Sequence, residues 1–214
     1  MRTVFICFLL VCFGACHKKP NYAEFERLKP RSILVLPPLN TTVALDASNS
    51  YLSTISQPVA ERGYYVFPVA VVERMLRENG VTGPEEMRQV PRDKLVEIFG
   101  ADALLDITID DWSTSYFLLQ ASTTVKLTFT LFDLASGTEL WTGTRDATLS
   151  SGGGGGGGLA ALVESVVSAA VHAASSTDDT AKISLASQIN QKLLGEDGYG
   201  LLKGPRWIDP EKRS

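Results

Sequence analysis

The sequence predicts an α/β domain with a mixed sheet of about five strands packed by helices, a long antiparallel hairpin region and C-terminal helices. Two observations support this fold class. Residues 32–100 alternate short apolar runs with segments in which apolar residues recur at helical spacing, which is how an α/β layer begins. Residues 103–149 contain long stretches of alternating apolar and polar residues, which are typical of antiparallel strands with one solvated face.

The first predicted strand and helix lie near the start of this domain. Ser32 to Leu36 is a largely apolar run ended by two prolines, which favours a strand buried on both faces. Tyr51 to Arg62 has helical spacing, and Gly63 is suited to ending a helix. Because Pro58 lies inside this segment, we expect a kink or a late start of the helix.

A second strand and two further helices are predicted before the hairpin region. Tyr64 to Val69 is expected to form the strand, and Ala70 to Asn79 the helix that follows it. Pro91 to Phe99 is the next predicted helix, because proline is favoured in a first turn and Gly100 follows the last residue.

Three strands are predicted in the hairpin region. Ala103 to Trp112 and Thr123 to Asp133 alternate apolar and polar residues. A turn at 133–137 leads to a third strand over Glu139 to Leu149, and a last helix is expected over Asp179 to Leu194. The residues expected to face the core are Leu105, Ile107, Ile109, Val125, Leu127, Phe129 and Leu131.

A glycine-rich segment at 150–158 separates the hairpins from the helices that follow. It contains seven consecutive glycines, Gly152 to Gly158, and could be taken for a phosphate-binding loop because a helical pattern comes next. It lacks both a following Lys-Ser/Thr pair and the G-x-G-x-x-G spacing. A flexible loop or disordered spacer is the better interpretation.

Leu159 to Ala174 is predicted to be a helix that is apolar on nearly every side. A narrow polar stripe of Glu164, Ser168 and His172 interrupts it. At about sixteen residues it is short for a membrane span. Two interpretations remain open: a core helix, or a surface that meets a partner or a second copy. The candidate interaction residues are Leu159, Leu162, Val163, Val166, Val167 and Ala170.

The N-terminus has the features of a cleaved export signal. A short cationic start precedes an apolar run of about ten residues, and Gly14-Ala15 then precedes Cys16. This arrangement resembles the lipobox of bacterial lipoproteins, although Phe13 stands where Leu, Val or Ile is usual. We therefore expect Cys16 to be lipidated and to become the first mature residue. The alternative is a secreted protein cut after Ala15.

The residues beside Cys16 bear on localisation. His17, rather than Asp, follows the cysteine, which by analogy with Gram-negative sorting favours the outer membrane. The expected orientation there is towards the periplasm, and surface exposure is the open alternative. Three acyl chains, which the lipoprotein pattern implies, would anchor the chain to the bilayer durably. The predicted organisation is a signal peptide at 1–15, lipidated cysteine and flexible tether at 16–31, a single domain at 32–194 and a Gly/Pro-rich tail at 195–214.

Composition and motifs argue against several functional classes. The net charge of −4 makes nucleic acid an unsuitable partner. Asp106, Asp110 and Asp111 could suggest metal binding or acid–base chemistry, but a solvated sheet face is the preferred interpretation, with Asp111 pointing to the opposite face. The two histidines, His17 and His172, have no nucleophile or carboxylate partner nearby in sequence. We therefore expect no enzyme, no metal and no cofactor.

Several segments, in order along the chain, resemble a proteobacterial family of outer-membrane lipoproteins of unknown function that includes a meningococcal vaccine candidate. The matching segments are Arg31 to Asn40, Gly63 to Ala70, Phe99 to Asp102, Leu131 to Gly137 with Trp141, and Leu201 to Arg206. The resemblance implies a periplasm-facing α/β domain similar to the N-terminal domain of the Tol translocation protein and to curli-secretion lipoproteins. It also implies homodimers and companion lipoproteins of the curli-channel type, and it implies no catalytic residues.

The leading functional hypothesis is a non-enzymatic, outer-membrane-anchored lipoprotein that faces the periplasm as a dimeric assembly or transport accessory of the cell envelope. The alternative is a module that binds peptidoglycan or a cell-wall synthase, and an envelope hydrolase ranks third. Retention on purified cell wall would favour the second hypothesis.

Overall fold

The computed structural model describes residues 21–117, 120–150, 178–195 and 198–209. Cys16, the glycine run, the candidate interaction helix from Leu159 and its stripe residue His172 lie outside the described residues, as does His17. Within the described part, no helix is long and apolar enough to cross a bilayer.

The described elements are seven helices and six strands. The helices are α1 (Ala23–Leu28), α2 (Ala47–Leu52), α3 (Ser56–Glu61), α4 (Val69–Glu78), α5 (Pro84–Gln89), α6 (Arg92–Phe99) and α7 (Asp178–Gly195). The strands are β1 (Ser32–Val35), β2 (Leu39–Asn40), β3 (Tyr65–Val66), β4 (Ala103–Phe117), β5 (Gln120–Asp133) and β6 (Glu139–Ser150).

The strands form one mixed sheet, which confirms the predicted fold class. Its order is β3-β1-β4-β5-β6, and the short β2 pairs with β4 beyond the end of β1. β1, β2 and β3 are parallel to their neighbours, whereas β4, β5 and β6 form two long antiparallel pairs. Parallel pairing needs a crossover connection, and the helices after β1 and β3 provide it.

The inner face of the sheet carries the larger core. Alternate residues of β4 and β5, among them Leu105, Ile107, Leu127 and Phe129, are fully buried against α2, α3 and α7. Full burial of one such side chain contributes about 1.5–3 kcal/mol. The alternation of apolar and polar residues predicted for the hairpin region is confirmed. The apolar face that it creates packs against α7, which lies on the long strands.

On the other face, the helices that the structure describes lie near the start of the strands. Leu34 and Leu36 pack there with Val72, Met87 and Leu95 from α4, α5 and α6. Together with Ile33 and Val35 on the inner face, they confirm that the first strand is buried on both faces.

Two predicted elements are corrected in detail. The helix expected over 51–62 is two short helices, and α3 begins at Ser56 so that Pro58 lies in its first turn, where a missing N–H costs least. The strand expected over 64–69 is only Tyr65–Val66, because α4 already begins at Val69.

The flexible tether predicted up to residue 31 is wrong from Tyr22 onward. Residues 23–28 form α1, and Phe25 is 4% exposed in the larger core. Phe25, with the partly buried Tyr22 and Leu28, holds this short helix against the domain. A six-residue helix is too short for its apolar spacing to stand out from the polar residues around it.

Candidate functional site

The C-terminal strap (residues 199–207) closes the end of the sheet where β1, β3 and β4 begin. Four consecutive strap carbonyls, from Tyr199 to Leu202, accept hydrogen bonds from side chains of other elements. The donors are, in order, Trp141 Nε1 at 2.9 Å, Tyr22 Oη at 2.6 Å, Arg62 Nε and Nη2 at 3.0 and 2.6 Å, and Tyr64 Oη at 2.5 Å. The predicted Gly/Pro-rich tail is therefore in large part a packed segment.

Two of these donors have electrostatic properties that strengthen their hydrogen bonds to the strap. Burial raises the pKa of the Tyr64 phenol, so this hydroxyl stays protonated and keeps donating at neutral pH. The Arg62 guanidinium binds one carbonyl with two N–H groups, and hydrogen bonds from charged donors are stronger than neutral ones. Leu201 itself is fully buried, which fixes the strap by packing as well.

The strap also approaches the turn between α3 and β3 very closely. Gly204 N donates to Arg62 O at 2.7 Å, and Arg206 N donates to Gly63 O at 3.0 Å. Gly63 has a φ of +90°, and a Cβ placed on it would lie 2.2 Å from Trp207 N. Only glycine fits this position, because both the backbone conformation and the space exclude a side chain.

The Asn40 loop (residues 40–46) links β2 to α2 where the parallel strands end, about halfway along β4. Asn40 Oδ1 accepts from Thr42 N and Oγ1 at 2.9 and 2.7 Å, while Asn40 Nδ2 donates to Ala44 O at 2.6 Å. Thr41 N and Oγ1 both donate to Ile109 O, at 3.1 and 2.9 Å. One asparagine side chain thus fixes the loop internally, and Thr41 ties it to β4.

This loop displays two large apolar side chains to solvent. Val43 is 99% exposed and Leu45 is 92% exposed, while Ala44 between them packs against the larger core. Two aliphatic side chains this exposed on one short loop are a candidate contact surface. Because hydrogen bonds already hold the loop, a partner would meet it with little ordering cost.

The strap lies near the start of β4, and the Asn40 loop lies about halfway along that strand. The strap contacts Gly63, two residues before the Tyr65–Ser32 pair that lies at the start of the parallel strands. The Asn40 loop leaves the sheet beside Ile109. Ala103 to Ile109 spans about 20 Å at a strand rise of about 3.3 Å per residue.

The solvated face of the long strands is lined by hydroxyl groups. Facing pairs on β5 and β6 lie within hydrogen-bonding distance, namely Thr128–Thr144 at 3.0 Å, Thr124–Thr148 at 3.1 Å, Ser122–Ser150 at 3.3 Å and Thr130–Thr142 at 3.4 Å. Such directly opposed pairs stabilise a sheet modestly.

The three candidate carboxylates belong to this face. Asp106 forms an ion pair with Arg88, and Asp110 Oδ2 accepts from Thr128 Oγ1 at 2.6 Å. The prediction that Asp111 points to the opposite face is wrong, because a β-bulge between Ile109 and Asp111 shifts the register and sets Asp111 opposite Lys126. Among the described residues, no three His, Cys, Asp or Glu side chains could together hold a metal ion.

A buried polar cluster that the sequence did not predict joins α7 to α2 and the turn after it. Tyr51 Oη donates to Asn190 Oδ1 at 2.8 Å, and Asn190 Nδ2 donates to Thr54 O and Oγ1 at 3.1 and 2.9 Å. Tyr51 and Asn190 are fully buried, and burial raises the Tyr51 pKa. The available signal was an asparagine at helical spacing from Ala186 and Leu194 on one apolar face.

Comparison with known proteins identifies relatives along most of the chain. A lipoprotein of Neisseria meningitidis serogroup B is 38% identical over 209 residues, covering 95% of each chain. The crystal structure of lipoprotein GNA1162 from Neisseria meningitidis is 40% identical, with a TM-score of 0.57, and covers 67% of this chain and 99% of that one.

A more distant likeness is to PelC from Paraburkholderia phytofirmans, which was solved as a dodecamer. It is 15% identical, with a TM-score of 0.45, and covers 76% of this chain and 88% of that one. A TM-score this low supports no conclusion about the assembly or the partners of this chain. The family described as "Putative lipoprotein GNA1162-like" matches residues 20–206. This chain therefore belongs to the GNA1162-like lipoprotein family.

Proposed function

We propose that this chain is a non-enzymatic lipoprotein, anchored to the outer membrane through Cys16 and facing the periplasm, where it acts as a dimeric assembly or transport accessory of the cell envelope. The observation that carries this proposal is the Asn40 loop, with Val43 and Leu45 almost fully exposed. Family membership supports a lipid anchor. The loop supplies a protein-binding surface about 20 Å along β4 from the strap.

The proposed contact of the Asn40 loop is a second copy of the chain. Apolar side chains at the centre of an interface dominate its binding energy, and two exposed aliphatic residues are a minimal core of that kind. In a symmetric dimer each loop would meet the same surface on its partner. A companion lipoprotein of the curli-channel type would then bind the assembled dimer.

Replacing Val43 and Leu45 together with aspartate should dissociate the dimer without unfolding the domain. We expect the dimer to weaken at least about 100-fold, because two apolar contacts are lost and charge is buried at the interface. The free energy of unfolding should change by less than about 0.5 kcal/mol, since both side chains are solvent-exposed. Sedimentation of the chain from Pro20 onward measures the first quantity, and urea denaturation the second.

The matched control is Val71→Asp, which places the same charge on an apolar residue that is 52% exposed on α4. It should leave the dimer intact. A Val43/Leu45 variant that still sediments as a dimer would exclude the loop as the contact, and a wild-type monomer at micromolar concentration would refute the dimer itself. Retention of the wild-type protein on purified cell wall would favour the peptidoglycan-binding alternative.

Replacing Cys16 with alanine should abolish lipid attachment. The precursor should then fail to incorporate labelled palmitate and should no longer be held on the membrane by lipid, since no other mature residue is a cysteine. Cys12→Ala is the matched control, because Cys12 follows the bulky pair Leu10 and Val11 and should be removed with the signal. Label retained in the Cys16 variant would contradict the assignment. Density separation of the two membranes tests the outer-membrane location.

A further inference from the structure

We propose that the C-terminal strap is the membrane-facing surface of the domain and that its exposed cationic and aromatic side chains contact anionic phospholipid headgroups. This inference rests on the anchoring at Cys16 proposed above. It adds an orientation: the strap lies against the bilayer, and the Asn40 loop points away from it.

The first argument is the reach of the chain between the anchor and the strap. Tyr22 Oη donates to Gly200 O at 2.6 Å, and Phe25 is buried just after it. The structure therefore joins the start of the folded domain directly to the strap. From Cys16 to Tyr22 a fully extended chain covers at most about 20 Å, so the strap stays close to the bilayer surface whatever path the intervening residues take.

The second argument is the chemistry that the strap and its neighbours expose. Lys203 and Arg206 are exposed. Lys203 Nζ lies 3.8 Å from the centroid of the Trp207 ring, and Arg206 Cζ lies 5.7 Å from the centroid of the Tyr65 ring. Tyr65 is 44% exposed, and Ile208, next to Trp207, is 56% exposed. Tryptophan and tyrosine are enriched at membrane–water interfaces, and cations near them favour anionic headgroups.

The third argument is charge complementarity. The whole chain carries a net charge of −4, yet the segment before Tyr22 contributes Lys18 and Lys19 and the strap contributes Lys203 and Arg206. These cations belong to the two segments that the Tyr22–Gly200 hydrogen bond brings together. The Asn40 loop, halfway along β4, contains neither lysine nor arginine. Attraction to anionic lipid therefore favours the same orientation that the anchor permits.

The test uses the full lipidated protein in vesicles of phosphatidylcholine with about one third phosphatidylglycerol. Because no mature residue other than the acylated Cys16 is a cysteine, Ile208→Cys supplies a single thiol for a nitroxide label. Thr148→Cys is the matched control position, exposed near the far end of β6. The measurement compares collisions of each label with oxygen, which enters the bilayer, and with a water-soluble nickel chelate.

We expect the label at position 208 to be shielded from the nickel chelate and the label at position 148 to stay fully accessible. The double variant Lys203→Glu, Arg206→Glu should lower the shielded population at least about fivefold in these vesicles. Arg74→Glu with Arg77→Glu, which makes the same change in net charge on α4, should leave it unchanged.

Flotation of the vesicles separates this proposal from the one it rests on. Protein that does not float would show that the anchor, and with it the orientation, is wrong. Protein that floats with both labels equally accessible to the nickel chelate would leave the anchor intact and overturn the orientation alone. Equal shielding with the charge-reversed strap would overturn the role of the headgroups.

Discussion

Replacing Gly63 with alanine should destabilise the domain by about 3–5 kcal/mol, the sum of a strained backbone and an overlap in a packed site. The residue has a φ of +90°, which alanine adopts poorly. Its Cβ would lie 2.2 Å from Trp207 N and 2.6 Å from Trp207 Cα. The strap cannot move away without losing the hydrogen bonds from Gly204 N to Arg62 O and from Arg206 N to Gly63 O.

Gly80→Ala separates the two causes. Gly80 has a similar φ of +85°, but nothing lies within 4 Å of a Cβ placed on it, so only the backbone strain of about 1 kcal/mol should appear. Urea denaturation of both variants measures the difference. Equal losses of stability would show that the strap yields freely and that its contact with the turn before β3 contributes little.

Replacing Asn190 with alanine should destabilise the domain by about 2–4 kcal/mol, because the substitution leaves buried polar groups without hydrogen-bond partners and creates a small cavity. The Tyr51 hydroxyl would lose the acceptor that lies 2.8 Å away, and Thr54 O would lose the donor at 3.1 Å. All of this occurs where α7 packs on α2 and the following turn. The effect is therefore on the attachment of the C-terminal helix, measurable by urea denaturation.

A double-mutant cycle with Tyr51→Phe tests the cause. In the Asn190→Ala background, removing the Tyr51 hydroxyl also removes the group that would be left unpaired, so the two losses should be less than additive by about 1 kcal/mol. Ser53→Ala, an exposed position whose hydroxyl donates to Ser50 O, is a control that should show additivity with Asn190→Ala. Full additivity for Tyr51 would mean that the pair does not interact.

The elements predicted correctly are those whose burial is uniform along the segment. β1 is apolar on both faces because helices cover both of its sides, and the hairpin strands alternate because their inner face alone meets α7. Pro91 and Gly100 mark the two ends of α6 within one residue. In each case the order of apolar and polar residues in the sequence matches the burial of those residues in the structure.

The elements missed are those held by a few specific contacts. α1 is six residues long and is held by Phe25 with Tyr22 and Leu28. The strap is ordered by side chains that lie more than fifty residues away in the chain. The same limit applies to the candidate site. The exposure of Val43 and Leu45 follows from the hydrogen bonds of Asn40, and the orientation of Asp111 follows from one bulge.

The sequence by itself determined the α/β class, the paired long hairpins, the resemblance to the lipoprotein family and the expectation of a lipid anchor, because periodicity, composition and motif order are local properties of the chain. Only the tertiary structure decided that Tyr22 is hydrogen-bonded to the C-terminal segment, and that the apolar Asn40 loop lies halfway along β4 and away from that segment. Those facts depend on hydrogen bonds between groups that lie far apart in the sequence. Such hydrogen bonds form only when whole helices and strands pack together, which no short window of sequence records.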